Sequence, residues 1–114
     1  MATQKIERAA WRSFFDAMSE ALAGKQAEIE VDALNLGSQI EAEWLPLYGV
    51  TYDDKDDLFE VALEGLDHLI RQPREVSIVT GRNGIDGIEV VDGDGTAHII
   101  TLREPLAVPP ASLA

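Results

Sequence analysis

Between residues 6 and 23, apolar side chains recur at helical spacing. Trp11, Phe14, Phe15, Met18 and Leu22 fall on one stripe, and Arg8, Arg12, Ser19 and Glu20 fall largely elsewhere. The stripe predicts an amphipathic helix stopped by Gly24, which can take the left-handed conformation, with Lys25 near the negative end of the helix dipole. From Gln26 the period becomes two. Ala27, Ile29 and Val31 interleave with Glu28, Glu30 and Asp32, and Ile40, Ala42 and Trp44 interleave with Glu41 and Glu43. This pattern predicts two strands with one wet face, joined by a loop over 33–37, the second strand being limited by Pro46. Residues 49–57 read as a polar loop and 58–64 as a third strand. Residues 66–72 read as one or two helical turns closed by Pro73, and 75–80 as a fourth strand. Two more strands flank Asp92-Gly93-Asp94-Gly95, the strongest hairpin signal in the chain, because Asp and Gly tolerate the positive φ angles of tight turns.

Assembled, these elements predict an α+β fold. An N-terminal amphipathic helix packs on a curved, largely antiparallel sheet of five to six strands, a meander curling toward a barrel because one helix cannot cover a flat sheet of that width. The 114 residues suit a single domain, placed at 1–105, with 106–114 as an extended or disordered tail. With no cysteine, thiol nucleophiles, Cys-ligated zinc, iron–sulfur clusters and disulfides are excluded, and two histidines cannot form a three-His metal site within one chain. No cofactor is implied. A formal charge of −12 argues against nucleic acid and anionic membrane as partners, since both select basic surfaces. No targeting segment and no apolar stretch near membrane-spanning length is visible, so the expected location is cytoplasmic.

Charge sharpens this picture because it is uneven: residues 26–67 hold twelve acidic side chains and one basic one. A hairpin centred near Asn35 and Leu36 would set Glu30 opposite Glu41 and Glu28 opposite Glu43, each like-charge pair costing about 0.2–1 kcal/mol. Such a face is either merely solvated or a surface for a basic partner or a cation. Asp53-Asp54-Lys55-Asp56-Asp57 offers hard oxygen ligands but lacks the Gly and Glu of a calcium loop, so it reads first as a turn with one Asp capping the backbone. Asp67-His68 is the adjacent carboxylate–imidazole pair, yet no serine lies in a nucleophile-elbow context. A sheet ion pair or simple exposure suffices for His98, and Trp11 and Trp44 read as core anchors.

Three segments bear a family resemblance. They are Trp11-x-x-Phe14-Phe15-Asp16, Glu41-Ala42-Glu43-Trp44-Leu45-Pro46-Leu47-x-Gly49-x-x-Tyr52-Asp53-x-Lys55-Asp56-Asp57, and Ala62-Leu63-Glu64-Gly65-Leu66-Asp67-His68-Leu69-Ile70-x-x-Pro73. The chain resembles, from about residue 6 to 103, a family of small acidic bacterial proteins catalogued only as a domain of unknown function. The resemblance implies a small single-domain bacterial protein and carries no functional residues with it. The leading expectation is a non-enzymatic protein-interaction or regulatory module, with Glu28, Glu30, Glu41 and Glu43 as its contact surface and a homodimer among its assemblies. The alternative is a divalent-cation or small-ligand site built from Tyr52, Asp54, Asp57, Asp67 and His68.

Overall fold

The computed structural model describes residues 2–107. In chain order the elements are β1 (Ala2–Ile6), a 3-10 turn (Arg8–Ala10), α1 (Trp11–Leu22), β2 (Gln26–Ala33), β3 (Gly37–Asp53), β4 (Leu58–Leu63), β5 (Leu66–Arg71), β6 (Pro73–Gly81), β7 (Gly84–Asp92) and β8 (Ala97–Leu106). All strand pairs are antiparallel, in the order β1-β6-β7-β8-β2-β3-β4-β5. Two meanders, β2 to β5 and β6 to β8, are thus joined where β8 pairs with β2. The sheet curls, but its edges β1 and β5 do not pair, so it stays open. The last strand runs through the buried Leu106, and the tail expected over 106–114 lies, from residue 108 on, outside the described residues.

Eight strands replace the expected five or six, for local reasons. The helix starts at Trp11, five residues later than the stripe suggested, because Ala2–Ile6 is drawn onto the free edge of β6 and pairs Ile6 with Val76. Leu66–Arg71 is a strand, not helical turns. Gly65, at φ +75, lets the chain reverse tightly, and Leu66, His68 and Ile70 then point inward while Asp67, Leu69 and Arg71 point out. Pro46 does not end its strand either: β3 passes through it, pairing with β2 before it and with β4 after it. Proline's missing donor is harmless there because β2 begins opposite it, at Gln26. Register shifts and a left-handed Trp44 (φ +51) bend the chain at this corner, so half-buried Trp44 is a corner residue with Arg103 over its ring and not a core anchor. Of the polar loop expected over 49–57, the first five residues belong to β3.

Beyond that corner the flank of β3 is closed by α1. Gly24 N–H donates to Leu47 O and Leu47 N–H to Lys25 O, while Ser19 Oγ donates to Val50 O (2.7 Å) and accepts from Val50 N–H (3.0 Å). Gly49 permits this approach, since a Cβ there would stand 3.3 Å from Ser19 Oγ. Trp11, Phe15 and Leu22 are fully buried, with Trp11 edge-on to Tyr52 and Phe15 edge-on to Phe59 at about 5 Å. The flank of β3 is therefore covered by an apolar helix.

Candidate functional site

The hairpin between β7 and β8 is organised by Asp92. Its Oδ1 accepts from the backbone N–H of Asp94 (2.9 Å) and Thr96 (3.1 Å), closing the turn, and its Oδ2 lies 2.9 Å from His98 Nε2. His98 sits on the inner face, between Val90 of β7 and Val31 of β2, and is only 7% exposed. Its Nδ1 lies 3.0 Å from Nε2 of His68 on the edge strand β5. An ionised Asp92 requires His98 Nε2 to carry a hydrogen. The Nδ1 of a neutral His98 then accepts, so His68 Nε2 must donate. The result is a directed chain, carboxylate to imidazole to imidazole, that leaves His68 Nδ1 as a lone pair with no hydrogen-bond partner among the described residues.

The electrostatics follow from this geometry. Burial, and then the neighbouring His98, push the His68 ring below its ordinary 6.5, against the pull of Glu41. Burial raises Asp92, but its bonds from His98 and the two backbone N–H groups outweigh burial and hold it below 3.8. Stability supplied by the neutral His68 ring is complete above pH 6.5 and falls as the pH drops below it. The contribution of Asp92 is present above pH 3.8 and is lost as the pH falls through its folded-state value. An open cleft of about 560 Å³ adjoins the chain, bounded by Asp56, residues 69–72 and Asp92–Asp94, with His98 in its wall.

Of the residues expected from sequence, His68 is part of this chain, and Tyr52, Asp54, Asp57 and Asp67 do not converge there. Tyr52 donates to Asp57 Oδ1 (2.7 Å). Arg8, lying over the Trp11 ring, donates to Tyr52 Oη (2.9 Å), Asp57 Oδ1 (3.1 Å) and Pro73 O (2.7 Å). This clasp ties the 3-10 turn to the β3–β4 hairpin and the start of β6. The Tyr52 hydroxyl, then Arg8, hold Asp57 below the usual carboxylate range despite burial, whereas burial and Asp57 raise Tyr52. Asp54 faces Arg12 at 3.6 Å, and Asp53 caps the turn through the N–H groups of Lys55 and Asp56. Strand neighbours point to opposite faces, so Asp67 is outside, bonded to Glu60, while His68 is inside. The shared hydrogen bond with Asp67, then burial, raise Glu60, an effect partly offset by Thr51. Among the described residues no group of three His, Asp or Glu side chains is placed to hold a metal.

The acidic hairpin is also rearranged. Glu30 faces Ile40, Ile29 faces Ala42 and Ala27 faces Leu45, so neither Glu30–Glu41 nor Glu28–Glu43 is a cross-strand pair. Two bulges, invisible to a count from the turn, shift the register. Glu41 lies near His68 instead. Glu28 and Glu30 stand beside Thr101 and Ile99 on the outer face, which Asp32 and Glu89 extend. Sequence reasoning missed Asp92 and His98 as partners. The signal was the alternation that sets Val90 and Asp92 on one strand, and His98 and Ile100 on the next, on a common face.

These features define an open, eight-stranded antiparallel domain with a single helix packed on β3 and a carboxylate–imidazole–imidazole chain that links β5 to the β7–β8 hairpin. The chain belongs to the family of unknown function DUF5335, which it matches over residues 2–111. It is 38% identical over 110 residues to an uncharacterized protein of Aquifex aeolicus (strain VF5), covering 96% of this chain and 99% of that one. No solved structure matches it. No helix of the described residues is long and apolar enough to cross a membrane.

Proposed function

We propose that the protein is a non-enzymatic, cytoplasmic interaction module that docks a basic protein on the outer face of β2, β8 and β7. One observation carries this reading: Glu28, Glu30, Asp32 and Glu89 lie on neighbouring strands around Ala97 and Ile99, and none of the four is in an ion pair among the described residues. One carboxylate oxygen of Asp32 is buried with no hydrogen-bond partner. Beside this face the β2–β3 turn presents Leu34 (96% exposed) and Leu36 (69%). Apolar groups set among uncompensated carboxylates suit a partner whose basic side chains surround an apolar depression. A second copy of this chain would bring like charge to the same face, so the basic partner is favoured over the homodimer.

The quadruple variant Glu28→Gln, Glu30→Gln, Asp32→Asn, Glu89→Gln is expected to fold with equal or slightly higher stability. It is expected to lose its salt-sensitive binding to a Lys- and Leu-rich peptide, read by fluorescence anisotropy at two ionic strengths. A charge-matched control neutralising the exposed Asp16, Glu20, Asp56 and Glu64 should bind like wild type. Equal losses in the two variants would show that net charge alone attracts the peptide.

A second reading rests on the cleft, where Asp56 of the acidic loop meets the wall containing His98. Divalent-cation or small-ligand binding at this place predicts a higher melting temperature in millimolar Ca²⁺, Mg²⁺, Mn²⁺ or Zn²⁺, since a ligand at 100 times its Kd adds about 2.7 kcal/mol. An unchanged melting curve in all four counts against the cation form.

A further inference from the structure

We propose that the His68–His98 pair is a proton-binding latch: with no more than one added proton the two rings hold the edge strand β5 against the β7–β8 hairpin, and a second proton releases it. The inference is independent of the docking face. Strand β5 pairs with β4 alone, and its other edge has no strand beside it. Among the described residues, the His68–His98 hydrogen bond is the one that links β5 to the β7–β8 hairpin. The same seam borders the cleft walled by residues 69–72 on one side and Asp92–Asp94 on the other.

The response to acid follows from counting hydrogens. The first proton settles on His68 Nδ1, the free lone pair, with the charge of Glu41 in its favour, and both hydrogen bonds of the chain survive. The second has only His98 Nδ1, the acceptor of the latch. Two N–H groups then point at each other across 3.0 Å, and two cationic rings face each other with centroids 5.2 Å apart. His98 is retained by Asp92, with Asp56 and Asp94 nearby in the cleft. His68 has no such anchor. Glu41 of β3 lies near it, Arg71 of its own strand adds positive charge to the cleft, and its cross-strand neighbour on β4 is Val61. The strand carrying His68 is therefore the part that moves.

Ring nitrogen shifts and amide hydrogen exchange, followed by NMR from pH 8 to 4.5, test the latch. At neutral pH both rings should carry their hydrogen on Nε2. As the second step proceeds, protection of the amides of Leu66–Arg71, corrected for intrinsic exchange, should fall at least tenfold while that of Val76–Val90 holds. His68→Phe removes the titrating ring and should make β5 protection independent of pH over this range. His68→Gln, whose side-chain amide reaches the place of Nε2 and can donate to His98, serves equally if the Phe variant does not fold. Three outcomes overturn the proposal: β5 protection that is constant while both rings titrate, acid opening of β5 that persists in the variants, or no second step before the whole fold is lost.

Discussion

Phe15→Ala is expected to cost about 3–5 kcal/mol, as large as the whole stability of many small domains. Phe15 is fully buried at the centre of α1, edge-on to Phe14 and Phe59, and so joins the helix to β4. Truncation leaves a cavity that the helix cannot collapse into, because Ser19 and Gly24 tie it to the backbone of β3 on either side of Gly49. Urea unfolding followed by Trp11 fluorescence measures the effect. Phe14→Ala, at a half-buried position, should cost clearly less. A Phe15→Ala midpoint equal to that of wild type would mean that the helix does not close the core.

Asp92→Ala is expected to cost about 3 kcal/mol at pH 7, since it removes the acceptor of three hydrogen bonds and strands a donor on the buried His98. Asp92→Asn keeps a carbonyl oxygen for the turn and should lose less. Because the folded-state pKa of Asp92 is depressed, its advantage over both variants should shrink as the pH falls below 3.8. Glu60 works in the opposite sense. Raised above its ordinary 4.5, it costs stability when ionised and returns that stability as acid protonates it. A difference between wild type and Asp92→Asn that does not change with pH would show that the carboxylate is not ionised in its role.

What the sequence determined by itself is the local pattern: a helix with Trp11, Phe15 and Leu22 inward, the strands of β2, β4 and β6 to β8, the turn at Asp92–Gly95, and an acidic middle third without cysteine or basic stretches. These follow from the period of apolar residues and from turn chemistry, which act between near neighbours. Only the tertiary structure decided the rest. Ala2–Ile6 and Leu66–Arg71 are too short to declare a period and became strands because β6 and β4 offered free edges. Two bulges undid the expected glutamate pairs, and Pro46 was passed because β2 begins beside it. Asp67 and His68, adjacent in the chain, were sent to opposite faces, while His68, His98 and Asp92 were brought into one hydrogen-bonded chain by the curl of the sheet. That curl is a sum of many small twists and register shifts. No single stretch of sequence carries it, and the polar site it assembles was for that reason not legible before the strands were placed in order.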